Sequence, residues 1–96
     1  MRVTPHREAE AELTAALERY EQCGPGLGRD FLDEFEAGIR RVRENPEAWP
    51  FLRGDARRHL LHRFPYGLVY AVRPGEIYLI AVMHLKRRPF YWKSRI

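Results

Sequence analysis

Residues 57–84, with the sequence RRHLLHRFPYGLVYAVRPGEIYLIAVMH, decide the fold of this chain. Residues 57–64 alternate in character, residues 68–73 are rich in Val and Tyr, and residues 77–84 are apolar on both faces. These patterns are typical of β-strands, and a strand that is apolar on both faces is expected to lie inside its sheet. The turn sequences PYG and PGE separate the three segments. Strands joined by short turns predict an antiparallel meander.

Two helices are predicted upstream of this meander. The first is expected to begin near Pro5, with Thr4 as its N-cap, and to end at the Gly-Pro-Gly sequence at 24–26. The second is expected to run from residue 27 to residue 44. The Asn-Pro sequence that follows ends it, because a residue before proline disfavours the helical conformation. The short connection predicts that the two helices fold back as an antiparallel hairpin.

The predicted fold class is α+β, with the element order β-α-α-β-β-β and the helix hairpin packed on one face of a small antiparallel sheet. Residues 1–3 are expected to add a short edge strand. Trp49 and Phe51 are expected to fill the core between the hairpin and the sheet. At 96 residues, the chain is expected to form a single domain that spans residues 1–96.

The two halves of the chain carry opposite charge. Residues 1–52 hold seven Arg and eleven Asp or Glu residues, a net charge of −4. Residues 53–96 hold ten Lys or Arg residues and only two acids, a net charge of +8. A basic face of this size raises the local concentration of an acidic partner. The expected partners are nucleic acid, a nucleic-acid-handling machine or an acidic protein segment.

The predicted location is the cytoplasm. The single cysteine, Cys23, cannot form a disulfide within the chain. No apolar run approaches the roughly 20 residues that span a bilayer. The first residues also lack the apolar region of a signal peptide.

The basic residues of the second half fall into two groups. One surrounds residues 53–63, and the other follows the last predicted strand and includes two aromatic residues. If adjacent strands bring both groups together, they form a polyanion-binding face with rings that can stack on bases. The alternatives are a solvated face that prevents edge aggregation, and aromatic rings that fold back to cap the sheet. The candidate target-binding residues are Arg57, Arg58, Arg63, Arg87, Arg88, Tyr91 and Trp92.

Catalysis by this face is a separate hypothesis. Metal-independent RNA cleavage needs a base, a cation for the developing charge and an acid for the leaving oxygen. The residues of suitable type are His59, His62, Arg63, His84, Lys86 and Tyr91, and the candidate catalytic set is Arg63, His84, Lys86 and Tyr91. No spacing shows that these residues converge. His59 and His62 lie on opposite faces of their predicted strand and have few acids nearby, so we expect no metal site and no cofactor.

Six segments of the chain resemble one protein family. They are ERYE at 18–21, PGLGRDFL at 25–32, NPEAWP at 45–50, RRHLLHRFPYGLVY at 57–70, IAVMH at 80–84 and RRPFYW at 87–92. Taken together and in this order, they are similar to the RelE/ParE toxins of bacterial type II toxin–antitoxin pairs. The resemblance covers nearly the whole chain and implies the element order predicted above.

The resemblance implies one of two activities. RelE-like members are small ribonucleases that act on mRNA in the ribosome, with basic strand residues and a C-terminal Arg or Tyr. ParE-like members keep the fold without that catalytic set and poison DNA gyrase. The hairpin and the RRPFYW ending resemble the ParE and plasmid-stabilisation branch, although His84, Lys86 and Tyr91 also suit a ribonuclease. A non-catalytic basic module that binds nucleic acid is a third alternative.

Either branch implies a cognate antitoxin, ParD-like in the favoured case, that silences the toxin. An acidic or amphipathic C-terminal segment of this partner is expected to order itself along the hairpin groove and the sheet edge. The product is a hetero-oligomer. The expected anchors in the groove are Leu13, Leu17, Phe31 and Phe35.

Overall fold

The structure, a computed structural model, describes all residues from Met1 to Ile96. Its elements are β1 (Arg2–Pro5), α1 (Arg7–Cys23), α2 (Leu27–Glu44), β2 (Phe51–Arg53), β3 (Ala56–Leu60), β4 (Tyr66–Arg73), β5 (Glu76–His84) and a short 3-10 helix (Lys93–Arg95). The five strands form one sheet in the order β1-β5-β4-β3-β2. The predicted α+β class is confirmed, with the helix hairpin ahead of the meander. Neither α1 nor α2 combines the length and the apolar character that a membrane-spanning helix requires.

Strand β1 makes the sheet mixed. Strands β3, β4 and β5 form the predicted antiparallel meander. Strand β1 instead runs parallel to β5, with Val3 opposite Ile77 and Pro5 opposite Leu79. A parallel pair needs a long crossover connection, and the helix hairpin and the meander strands between β1 and β5 supply it. The sheet is therefore parallel at this edge, where the pattern alone predicted antiparallel strands.

Helix α1 begins at Arg7 and not at Pro5. Thr4 and Pro5 belong to β1, because their backbone pairs with β5. An edge strand tolerates proline, whose missing N–H removes no essential ladder bond there. The N-cap is His6, whose Nδ1 accepts a hydrogen bond of 3.0 Å from the Glu8 amide.

Strand β3 ends at Leu60, four residues before its predicted end. Residues 61–65 form a loop, and Tyr66 and Gly67, which were predicted as a turn, open β4. Phe64 turns its ring into the core, where it lies 4.8 Å from the Tyr20 ring of α1. The strand ends early because the Phe64 ring packs between the helices and the sheet. The ladder that pairs β3 with β4 therefore ends at Leu60.

Both faces of the sheet are covered. The two helices cover the first, which we call the helix face, where Leu68 and Val82 pack with Phe31 of α2. Residues 85–96 fold back over the second, which we call the C-terminal face, where Trp92 is fully buried against β4 and β5. This double cover accounts for the apolar residues on both sides of β5.

Trp49 and Phe51, both predicted in the core, lie in different environments. Trp49 is half-buried beside Val42 and Tyr70, between α2 and the sheet. Phe51 is 59% exposed, so the prediction that it fills the core is wrong. It lies on the short edge strand β2, and the Arg57 guanidinium covers its ring at 3.8 Å.

Candidate functional site

Residues 85–96 close the C-terminal face of the sheet. Trp92 is fully buried, and the hydroxyl of Tyr91 donates a hydrogen bond of 2.7 Å to Glu12 of α1. The Arg87 guanidinium lies 3.9 Å from the centre of the Tyr91 ring. Both aromatic residues therefore cap the sheet, which was the alternative to stacking on bases. Because Trp92 has no exposed surface, it offers no contact to a target in this arrangement.

Glu12 is the centre of a half-buried polar cluster. Its carboxylate accepts hydrogen bonds from Tyr91, from the Val82 amide at 3.0 Å and from both terminal nitrogens of Arg95 at 2.9 and 3.0 Å. Arg95 also donates to the Ile80 carbonyl, so the cluster fills the edge of β5 beyond the end of β1. Burial and the bond to Glu12 raise the pKa of Tyr91, which keeps its hydroxyl protonated. The only sign of this cluster in the sequence is that the acid Glu12 lies among Ala9, Leu13 and Ala16, which recur every three or four residues and form the apolar side of α1.

Arg57, Arg58 and Arg63 do not share a surface. Arg57 points to the helix face, where it donates hydrogen bonds of 2.9 and 2.7 Å to two backbone carbonyls that precede β2. Arg58 lies on the C-terminal face, as the alternation of a strand requires. Arg63 lies in the loop after β3 and forms an ion pair of 3.1 Å with Asp30 of α2. Arg58 alone among the three has no hydrogen-bond or ion-pair partner.

A surface of unpaired basic residues lies on the C-terminal face. Arg58 and Arg87 line a shallow cleft of about 110 Å³ together with Phe90. Arg53 lies 5.1 Å from the centre of the Phe90 ring. The four ion pairs of the chain include none of these guanidinium groups, and Arg88 is likewise exposed and unpaired. The fold therefore leaves these positive charges free.

The four residues considered for RNA cleavage are not assembled into one site. Arg63 is paired with a carboxylate of α2, and Tyr91 is bound to one of α1. Lys86 is exposed and belongs to no ion pair. Only His84 lines a cleft, which lies between α1 and the end of β5. None of the five main clefts of the structure is lined by more than one of these four residues.

The cleft beside His84 has a volume of about 220 Å³ and is also lined by Arg19 and Arg87. The His84 ring packs on Tyr66 at 5.0 Å, and its Nδ1 accepts a hydrogen bond of 3.0 Å from the Lys86 amide. Burial, followed by the positive charges of Arg19 and Lys86, lowers the pKa of His84. The neutral ring therefore carries its proton on Nε2, where it can donate a hydrogen bond to an anion.

His59 has a structural role on the helix face. Its Nε2 accepts a hydrogen bond of 3.0 Å from Arg41 of α2, and its ring packs 4.2 Å from the Trp49 ring. Burial, followed by the charge of Arg41 and the proximity of His62, lowers the pKa of His59 to about 4. The ring is therefore neutral at pH 7.

No group of three or more His, Cys, Asp and Glu side chains is placed to hold a metal ion.

The candidate antitoxin anchors occupy three environments. Leu13 and Phe35 line an apolar groove of about 420 Å³ where β1, α1 and α2 meet, together with Val3. Leu17 lines a separate hollow between α1 and α2. Phe31 is fully buried, with its ring stacked on an aromatic ring of α1. Phe31 therefore supports the hairpin from inside and has no surface with which to anchor a partner.

The chain matches known proteins in both family and fold. A family model described as the ParE toxin of the type II toxin–antitoxin system parDE matches residues 3–89. Among solved structures, the chromosomal ParDE toxin–antitoxin system from P. aeruginosa matches with a TM-score of 0.78 and 19% identity, over 90% of this chain and 97% of that chain. This likeness shows a shared fold, and no curated protein matches the sequence. The family resemblance read from the sequence is therefore confirmed, and the chain belongs to the ParE toxin family of type II toxin–antitoxin systems.

Proposed function

We propose that this chain inhibits growth by binding DNA gyrase without catalysis and that a ParD-like antitoxin silences it. The ParE family favours gyrase over RNA cleavage, and one observation on the structure supports the same choice. Two of the four candidate residues, Arg63 and Tyr91, are already bound to carboxylates of the fold. A hydroxyl held by Glu12 cannot protonate a leaving oxygen until the cluster breaks. Inhibition by binding alone needs no proton donor. We propose that the toxin acts in the cytoplasm.

The proposed antitoxin site is the apolar groove where β1, α1 and α2 meet. Leu13 and Phe35 are half-buried there, so a partner side chain can bury the surface that remains. An antitoxin segment that is disordered alone would order itself along this groove, and apolar burial contributes about 25 cal/mol per Å². We expect Leu13→Asp to prevent co-purification with the antitoxin. Leu17→Asp tests whether the separate hollow takes part, and unchanged co-purification of both variants would contradict the proposed site.

The gyrase proposal is tested by the phenotype of cells in which the chain is induced without its antitoxin. We expect DNA damage while cellular mRNA stays intact. Codon-positioned cuts in mRNA within minutes of induction would reverse the choice of target. Normal growth, with no antitoxin co-purifying from the native host, would contradict the proposed toxin activity as a whole.

The double change Arg87→Ala with Arg88→Ala tests where the toxic contact lies. Both side chains are exposed and belong to no ion pair, so we expect an almost unchanged melting temperature. We also expect loss of toxicity with retained antitoxin binding, because the proposed groove lies on the helix side of the sheet. A double variant that melts like the wild type and stays fully toxic would show that the toxic contact lies elsewhere. Arg57, Arg58 and Arg63 would then be the next candidates.

A second candidate function is mRNA cleavage from the cleft beside His84. The observation that favours it is the convergence of His84, Arg19 and Arg87 on one space, because arginine side chains and a ring N–H can hold a phosphate. Glu12 also lines this cleft, and its carboxylate is already bound to Tyr91 and Arg95. His84→Gln is the test, since it keeps a hydrogen-bond donor but removes the titrating ring. Toxicity that disappears in this variant together with mRNA cuts supports cleavage, whereas unchanged DNA damage supports the gyrase proposal.

A further inference from the structure

Three arginine side chains without an ion-pair partner lie around the cleft on the C-terminal face. Arg58 and Arg87 line it, and Arg53 lies above the Phe90 ring at its border. No Asp or Glu oxygen lies within ion-pair distance of any of the three. Guanidinium groups left free in this way favour a ligand that carries carboxylates or phosphates, since both can accept bidentate hydrogen bonds.

Exposed leucines lie beside these cations. Leu60 is 46% exposed and Leu85 is 43% exposed, although most large apolar residues of the chain are covered. Gly67 of β4 makes room for this arrangement, because a Cβ at that position would lie 3.1 Å from Arg58 and 3.5 Å from Leu60. The glycine therefore lets a cation and an apolar side chain lie side by side across the strand. A ligand for this surface must bring both negative charge and apolar surface.

The Phe90 backbone fixes the border of the cleft. Its φ of 60° makes it the one residue other than glycine with a positive φ. A bulky residue adopts this conformation only where its surroundings hold it there, and such positions are common at binding sites. Phe90 packs edge to face on the buried Trp92 ring at 6.0 Å, which holds it in place. The cleft is therefore formed before a ligand arrives, which lowers the entropic cost of binding.

We propose that the C-terminal face docks an acidic segment of the toxin's protein target, with carboxylates on Arg53, Arg58 and Arg87 and an apolar side chain between Leu60 and Leu85. This inference rests on the proposed function and specifies the chemistry of its contact. The exposed Leu60 and Leu85 favour a protein over a nucleic acid as the ligand of this surface. A phosphate backbone has no apolar group for the two leucines. Trp92, one of the two rings considered for stacking on bases, is buried, and the Arg87 guanidinium covers the ring of the other, Tyr91.

The test measures binding of the purified full-length chain to two fluorescent probes by anisotropy. One probe is a peptide of alternating Glu and Leu, and the other is a single-stranded oligonucleotide of mixed sequence. We expect peptide affinity to fall about tenfold or more in Arg58→Glu, and to fall in Leu85→Ala while oligonucleotide affinity does not. Arg40→Glu is the matched control, since Arg40 is an exposed, unpaired arginine of α2. This control should bind the peptide as the wild type does.

Two results would overturn the docking proposal. The first is peptide binding that both Arg58→Glu and Leu85→Ala leave unchanged. The second is an oligonucleotide affinity above the peptide affinity that Leu85→Ala does not alter, which would assign the surface to nucleic acid. Leu85→Ala protects the test against misfolding, because its side chain is largely exposed. The failure of the gyrase proposal is visible separately, as induced cells without DNA damage, and does not depend on either probe.

Discussion

Neighbouring arginines on the two faces of the sheet have different partners. On the helix face Arg41 is paired with Glu34 at 3.3 Å, and Arg57 is bound to two backbone carbonyls. On the C-terminal face Arg58 and Arg87 meet aromatic rings, aliphatic side chains and solvent. Arg41 and Arg57 therefore stabilise the fold through polar contacts. The guanidinium groups of Arg58 and Arg87 have no hydrogen-bond or ion-pair partner within the chain. Net charge along a sequence therefore does not show where free charge lies, because the fold neutralises some cations and leaves others available.

The largest expected effect tests whether both faces carry a real core. Trp92→Ala on the C-terminal face and Phe31→Ala on the helix face each remove a fully buried ring. Changes of this kind cost about 3–5 kcal/mol, and we expect both variants to lose this much in urea unfolding. A loss below about 1 kcal/mol for Trp92→Ala alone would mean that residues 85–96 are not part of the cooperative fold, and the comparison of two covered faces would fail.

A smaller effect is expected from pH and should arise on the helix face. The pKa of His59 is about 4 in the fold and 6.5 ordinarily, so the unfolded chain binds the proton first as pH falls. The free energy of unfolding is therefore highest above pH 6.5, where His59 is neutral in both states. It falls as pH drops toward 4, by about 3 kcal/mol at most. His59→Gln, which keeps an acceptor for Arg41, should remove most of this slope in urea unfolding between pH 7 and pH 4. His84, whose pKa is lowered in the same direction, contributes to the slope that remains. An identical slope in wild type and variant would show that His59 is not buried in its neutral form.

The smallest effect compares neighbours on opposite faces. Arg57→Ala removes two hydrogen bonds to backbone carbonyls, and we expect a loss of about 1–2 kcal/mol in thermal or urea unfolding. Arg58→Ala removes a side chain without a polar partner, and we expect a loss of about 0.5 kcal/mol. The same pair should reverse its order in toxicity, which Arg58→Ala weakens more. Equal losses of stability would remove the distinction between cations used by the fold and cations left free.

The local features of this fold could be predicted from the sequence. The meander β3-β4-β5 and the helix hairpin follow from periodicity, glycine and proline, which act within a few residues. The end of β3 could not be predicted, because Phe64 leaves the strand to meet Tyr20 of a distant helix. The parallel pairing of β1 depends likewise on β5, which comes more than seventy residues later.

The surfaces were harder to predict than the elements, because partners decide them. The alternation of a strand already places Arg57 and Arg58 on opposite faces, yet their similar chemistry suggested a shared site. Only the structure shows which of them the fold neutralises. Tyr91 illustrates the same limit, since the charged residues nearest to it in the sequence are basic while its hydroxyl binds Glu12, 79 positions away. Contacts at that separation leave no local pattern.

The contacts between the first and last segments determine when the fold can form during protein synthesis. The hairpin of α1 and α2 joins near neighbours and can form as a nascent chain emerges. Strand β1 must wait for β5, and Glu12 must wait for Arg95, which is 83 positions further along. Long-range pairing of this kind is slow and comes late in folding. The C-terminal face is therefore completed only after Arg95 has left the ribosome. A nascent chain in which Arg95 is still inside the ribosome lacks the contact between Glu12 and Arg95 that closes this face.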